Sequence, residues 1–197
     1  TLPSALFQYQ LDINYIEPLS KEPSAISITK EEEEEFRRFA GNGDAFERLT
    51  ASFAPSIHGM TDIKKSLLLS LFGGQEKVLP DGIKVRGDIH VLLIGDPGTA
   101  KSELLKYVAQ VAPKGLFTSG RGTTAAGLTA AVVKDAGGSF SLEAGAVVLA
   151  DRGLCSIDEI DKMRPEDRVA LHEALEQQTV SIAKGGIVAT LNARTTI

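Results

Sequence analysis

One cysteine, Cys155, is all the thiol chemistry this 197-residue chain holds. It can build neither a disulfide framework nor a Cys-rich zinc site, and its place in an apolar run predicts a small, buried side chain. No apolar run approaches the ~20 residues a membrane span requires, and no charged-then-apolar leader pattern opens the sequence. We therefore expect no membrane partner. Basic charge is also short, with 21 Lys and Arg against 26 Asp and Glu and a net charge of −5. A surface that is basic throughout is excluded, so any nucleic-acid contact must come from a few local cations. With 43% hydrophobic and 24% charged residues, the composition fits one soluble, folded, intracellular domain of ordinary size plus an appendage.

What the chain does have is an apolar run, His90-Val-Leu-Leu-Ile94, that ends in Gly95-Asp96-Pro97-Gly98-Thr99-Ala100-Lys101-Ser102. A buried strand running into a Gly-rich turn and then a helix is how a protein cradles nucleotide phosphates. Backbone N–H groups of the turn and the helix N-terminus face the anion, Lys101 reaches the terminal phosphates, and the Ser102 hydroxyl meets Mg²⁺. Ala100 stands where the standard P-loop spacing expects a second glycine. Taken alone, such a match can also be a surface Gly/Ser turn.

A second element narrows the choice. Gly153-Leu-Cys-Ser-Ile-Asp158-Glu159 is another mostly apolar strand, ending in two acids, at a distance suited to a neighbouring strand of one parallel sheet. Phosphoryl transfer to water needs a metal held against the phosphates and a group that orients the attacking water. Asp158 suits the first role and Glu159 the second, giving Lys101, Asp158 and Glu159 as candidate catalytic residues and Ser102 and Asp158 as candidate Mg²⁺ ligands. An acidic pair can instead merely complement a helix dipole. Together with a P-loop it reads as an NTPase core that binds ATP and Mg²⁺.

Around this core, residues 7–16 alternate apolar with polar side chains, which predicts a half-buried strand. Residues 18–27 are polar with two prolines and read as linker. Glu31 to Glu35 open a helix capped by Thr29, with Phe36 and Phe39 on its buried side. A second helix follows Asp62, with Ile63, Leu67, Leu68 and Leu71 at helical spacing, and closes at Gly73-Gly74. The helix after the P-loop runs from about Ala100 to Ala112 and stops at Pro113, and Gly115-Leu-Phe-Thr118 is a short strand. Pro165 starts another helix, with Val169, Leu171 and Leu175 turned inward. This alternation of strand and helix predicts a parallel, doubly wound α/β sheet sandwiched by helices.

Two stretches exceed a minimal NTPase. Residues 127–142 hold two β-prone runs around Asp135-Ala-Gly-Gly138, a hairpin inserted where a helix would stand. Residues 179–191 form a cleaner hairpin with Lys184-Gly185-Gly186 at the tip. A lysine at a tip is usually only solvated. Two Lys-tipped hairpins on one NTPase instead suggest sequence-independent contacts to a polyanion's phosphates.

Over residues 50–197 these blocks resemble the minichromosome maintenance (MCM) family, the AAA+ ATPase of the replicative helicase. The P-loop form with Ala100 is that family's own variant. Ile157-Asp-Glu-Ile-Asp-Lys-Met163 resembles its signature, with Ile160 where many members carry Phe. Leu128-Thr-Ala-Ala-Val, Leu142-Glu-Ala-Gly-Ala146, His172-Glu-Ala-Leu-Glu-Gln-Gln178 and Leu191-Asn-Ala-Arg194 are further matching blocks. Ile160 and the acidic linker look more archaeal than eukaryotic.

The resemblance implies roles that spacing cannot. Ser56, Ile57, His58 and Gly59 would frame the adenine, although a plain helix-connecting turn is the bland reading. Residues 123–145 would be the helix-two insert and 179–191 the pre-sensor hairpin, with Lys184 and, more loosely, Lys134 contacting DNA. Glu176 and Gln177 would face a neighbouring subunit's nucleotide, against the alternative of an exposed helix end. Residues 1–17 would close an N-terminal OB-fold domain, 18–29 would be linker, and 30–197 a partial AAA+ domain ending before the sensor Asn, arginine finger and helical lid.

The implied function is an ATP-driven DNA helicase, hydrolysing ATP at subunit interfaces of a hexamer. Its partners would be single- and double-stranded DNA, further copies of itself (a homo-hexamer or double hexamer) or related MCM subunits, and other replication factors. It would work in the archaeal cytoplasm at the nucleoid, or in a eukaryotic nucleus. The isolated chain is expected to be inactive. The alternatives are a protein remodeller or chelatase of the same clade, or a chain that binds nucleotide without productive hydrolysis.

Overall fold

The computed structural model describes residues 12–15, 28–134, 140–184 and 186–197. The strand expected within residues 7–16 and the tip residues 135–139 and 185 lie mainly or wholly outside that set. Helices α1 (Lys30–Ala40), α2 (Ala45–Ser52) and α3 (Thr61–Phe72) come first, then strands β1 (Lys77–Val78) and β2 (Lys84–Val85). Helix α4 (Lys101–Val111), strand β3 (Gly115–Ser119), helix α5 (Ala125–Leu128), strands β4 (Ala130–Lys134) and β5 (Phe140–Ala144) and helix α6 (Ala146–Leu149) follow. Strand β6 (Leu154–Asp158), a 3₁₀ turn (Ile160–Lys162), helix α7 (Pro165–Gln177), and strands β7 (Thr179–Lys184) and β8 (Ile187–Asn192) complete the order.

The parallel pair β3–β6, running from Gly115 opposite Leu154 to Ser119 opposite Asp158, is the centre of the fold. Thr196 forms a parallel bridge to Leu154 on the other side of β6, and Val91 N–H donates to the Ile197 carbonyl at 3.0 Å. Side chains of β6 then alternate between two layers. Leu154 joins Phe53, Leu67, Leu68, Leu104 and Val108 beneath α3 and α4, whereas Cys155 and Ile157 join Leu128, Val147, Leu171 and Ala174 beneath α6 and α7. This is the expected sheet sandwiched by helices, built on the period of two that sends successive strand residues to opposite faces. Cys155 is fully buried, and burial pushes its thiol pKa up to about 12.

Local signals behave as their chemistry requires. The Thr29 hydroxyl accepts from Glu32 N–H and the Glu32 carboxylate answers to Thr29 N–H, a complete capping box. Pro165 occupies the first turn of α7. Both hairpins form, with Lys134 opposite Phe140 and Lys184 opposite Ile187.

Three expectations are corrected. Residues 90–94 form no strand: among the described residues the run is tied to Ile197 only, by Val91 N–H and the His90 imidazole, and Leu92 and Ile94 are 67% and 88% exposed. Phe36 is 59% exposed, since no described residue covers it, and no residue of α1 is buried. Val169 is 64% exposed; the inward face of α7 is carried by Asp167, Leu171 and Ala174. Helix α2 and the β1–β2 hairpin have no strong periodicity and are not expected from the sequence.

Candidate nucleotide site

Both turns singled out in the sequence open onto one cleft of about 810 Å³. Gly95, Pro97, Gly98, Thr99, Ala100, Lys101 and Ser102 line one side and Asp158 and Glu159 the other. The loop's shape comes from its residues. Gly98 (φ 80°) and Ala100 (φ 57°) both take left-handed backbone, so the position where P-loops favour glycine does demand that conformation, and here alanine bears it. Helix α4 starts at the next residue, directing its N-terminal N–H groups at the cleft. The Lys101 ammonium donates to the Gly95 and Asp96 carbonyls (2.8 and 2.5 Å) and to Thr99 Oγ1 (3.1 Å), so it lies across the mouth of the loop.

Glu159, the residue just past β6, also takes left-handed backbone (φ 53°). A non-glycine in that region costs roughly 1–2 kcal/mol. Its N–H donates to Asp158 Oδ1 at 2.9 Å, and its carboxylate pairs with Lys162. Gly120 lies directly beneath: a Cβ there would come within 2.8 Å of the Glu159 carbonyl oxygen and 2.7 Å of Met163. Its N–H donates to the Asp158 carbonyl at 2.7 Å, so the residue just past β3 ties down the acid turn. The Ser102 hydroxyl and the Asp158 carboxylate are hard oxygen donors lining one cleft, which suits Mg²⁺. Among the described residues no three His, Cys, Asp or Glu gather to hold a metal unaided, and Mg²⁺ usually completes its octahedron with phosphate oxygens and waters.

The other candidates lie elsewhere. Ser56, Ile57, His58 and Gly59 do not line the cleft; they precede α3, and Ile57 packs on the α3–α4 core. Lys184 and Lys134 are exposed at the far ends of β7 and β4, and the Lys134 ammonium lies 5.8 Å from the Phe140 ring centre. Glu176 and Gln177 are exposed at the end of α7, where Arg86 donates to the Leu175 and Glu176 carbonyls.

Some structural features around the site are not evident from the sequence. The Leu191–Arg194 block ends in an ion pair that organises the chain around it. Arg194 grips Asp151 through Nε and Nη2 (3.0 and 2.8 Å), and its own N–H donates to the same carboxylate at 2.9 Å. The guanidinium holds the Asp151 carboxyl below the usual carboxylate range. This clasp aligns residues 195–197 beside β6. Asp167, buried on α7, accepts from Ala125 N–H and joins α5 to α7. Lys64 is buried, and its ammonium donates to the Ala54 and Ile57 carbonyls. Its position three and four residues before Leu67 and Leu68, on the same helical stripe, is the one signal the sequence offers for that burial.

The family profile of the MCM P-loop domain matches residues 32–197. This chain belongs to the MCM family. It is 61% identical over 172 residues to the DNA replication licensing factor Mcm5 of Drosophila melanogaster, covering 87% of this chain and 24% of that protein. To the minichromosome maintenance protein MCM of Saccharolobus solfataricus it is 54% identical over 194 residues, covering 98% of the chain and 28% of the relative. To mcm5-B of Xenopus laevis it is 57% identical over 175 residues, covering 88% and 24%. The chain thus spans about a quarter of the length of these relatives. Both archaeal and eukaryotic members match, so the archaeal leaning is not carried further. Nucleotide binding is the property of a P-loop MCM domain that the cleft is built to serve.

Proposed function

We propose that the protein containing this chain is an ATP-driven DNA helicase motor. The observation that carries this reading is the convergence of the P-loop turn and the Asp158-Glu159 turn on one cleft. In it, Lys101 and the start of α4 bind the phosphates, Ser102 and Asp158 hold Mg²⁺, and Glu159 orients the attacking water. Ser56 to Gly59 frame the adenine. Glu176 and Gln177 face the nucleotide of an adjoining subunit in a hexameric ring, of like chains or related MCM subunits, which works with other replication factors. Lys184 and Lys134 contact DNA phosphates inside the ring, single- or double-stranded. The site of action is the archaeal nucleoid or, in a eukaryote, the nucleus. A protein remodeller or chelatase finds no support in the family match.

Lys184→Ala in the full-length protein tests the DNA half of this reading. The mutant is expected to bind single-stranded DNA more weakly and to lose unwinding. Its salt dependence should flatten by about 0.7 unit of log–log slope for each phosphate contact removed. Basal ATP hydrolysis should persist, because Lys184 stands at the far end of β7 from the cleft. Normal unwinding by this mutant would overturn the assignment of the hairpin.

A further inference from the structure

Lys64 is 6% exposed, and no carboxylate pairs with it among the described residues. It sits in the first turn of α3, where its own N–H donates to the Met60 carbonyl at 2.9 Å. That is the positive end of a helix, an unfavourable place for a buried cation. A cation kept there must be satisfied by something specific. The ammonium donates to the Ala54 carbonyl at 3.1 Å and to the Ile57 carbonyl at 2.7 Å.

Those carbonyls belong to one turn. Ile57 N–H donates to the Ala54 carbonyl at 3.0 Å, and Ala54 itself is buried in left-handed backbone at φ 44°. Gly59 (φ 71°) and Met60 (φ 53°) continue the irregular path into α3. Upstream, Phe53 is buried edge-on against Tyr107 of α4, with ring centres 5.0 Å apart, and α4 is the helix that starts at the P-loop lysine. The turn is therefore pinned at two points, to α4 by Phe53 and to α3 by Lys64. His58 and Gly59, exposed between these pins, donate no backbone N–H to any described residue. Amide donors held still on an exposed turn are what recognition of a planar heterocycle's acceptor nitrogens requires.

We infer that Lys64 is a positioning residue for the base of the nucleotide: by gathering the Ala54 and Ile57 carbonyls it fixes the turn that presents His58 and Gly59. The inference rests on the reading of Ser56 to Gly59 as the adenine segment. Lys64 touches no phosphate, so its removal acts on base recognition and leaves phosphate binding alone.

The test measures affinity of the full-length protein for ATP and for inorganic tripolyphosphate, in wild type and in Lys64→Met, which keeps the stem's length and apolar bulk. Loss of the charge-assisted pair should weaken ATP binding by about tenfold or more while tripolyphosphate binding stays as in wild type. A parallel loss for both ligands, or unchanged ATP affinity, would overturn the inference. If Lys64→Met does not fold, Lys64→Gln, which retains an amide donor for one carbonyl, should show the same selective loss at about threefold or more. An equal effect on both ligands there would be equally fatal. If wild type itself binds ATP no better than tripolyphosphate, the adenine reading of residues 56–59 fails, and the inference fails with it.

Discussion

The run Leu154–Asp158 and the run of residues 90–94 are alike in composition, each mostly apolar and each leading into a turn that lines the cleft. Strand β6 is bonded to β3 along one edge and to Thr196 along the other, and four of its five residues are buried. Among the described residues, 90–94 are hydrogen-bonded to the sheet only at Ile197, through Val91 N–H and the His90 imidazole, and Leu92 and Ile94 remain largely exposed. Apolar sequence alone does not make a strand. Its N–H and C=O groups need ladder partners, and only the run with neighbours on both sides acquires them. The cleft is accordingly built asymmetrically: the acid turn hangs from a rigid strand, whereas the phosphate loop gains its order from its own turn geometry and from α4.

The sharpest way to break this comparison is through packing. Ile157→Ala removes a buried side chain between β6 and α7 and should cost about 2–5 kcal/mol, whereas Ile94→Ala should cost less than about 0.5 kcal/mol. Equal shifts of the two midpoints in urea unfolding would mean that Ile94 is packed after all. A smaller effect should follow from Ala100→Gly, which relieves left-handed strain at the loop's turn. That relief of roughly 1–2 kcal/mol is partly offset by glycine's greater unfolded-state entropy, about 0.4–1 kcal/mol. A net gain of about 0.5–1 kcal/mol in thermal unfolding is expected, and a loss would show that Ala100's backbone is not strained.

The smallest effects concern pH, and the two runs should respond in separate windows. At the end of β6's approach, the Arg194 side chain depresses the Asp151 carboxyl from its ordinary 3.8. Stability from this clasp is present above that value and is lost as pH falls through the lower folded value. Beside the phosphate loop, His90 has its imidazole pushed below its ordinary 6.5, first by burial and then by Arg86. Neutral His90 accepts Ile197 N–H on Nδ1 at 3.1 Å, so folding is favoured above the ordinary value and weakened as pH falls beneath it. Melting temperature followed against pH should decline in both windows, and Asp151→Asn should remove the acid one alone. Retention of the full acid decline in Asp151→Asn would place its origin elsewhere.

Much of this architecture is legible in the residues. The P-loop, the acid pair, the Thr29 cap, the Pro165 start and both hairpins each carry a local cause that needs no tertiary context. What is not legible depends on neighbours. Phe36 and Val169 stand at plausible inward spacings, yet the described residues leave both largely exposed. Helix α2 is too short for its periodicity to stand out. The Asp151–Arg194 clasp and the reach of Lys64 to Ala54 and Ile57 join residues 43, 10 and 7 positions apart, so the sequence can place the charges but not pair them.

If the two turns divide the work, with phosphate holding at the loop and water activation at Glu159, their mutants must separate. The decisive measurement is ATP binding and turnover by the full-length protein carrying Glu159→Gln, set against Lys101→Ala. Glu159→Gln should bind ATP as wild type does and lose turnover by about a hundredfold or more, while Lys101→Ala should lose binding as well. Hydrolysis by Glu159→Gln at the wild-type rate would contradict the assignment of the acid turn.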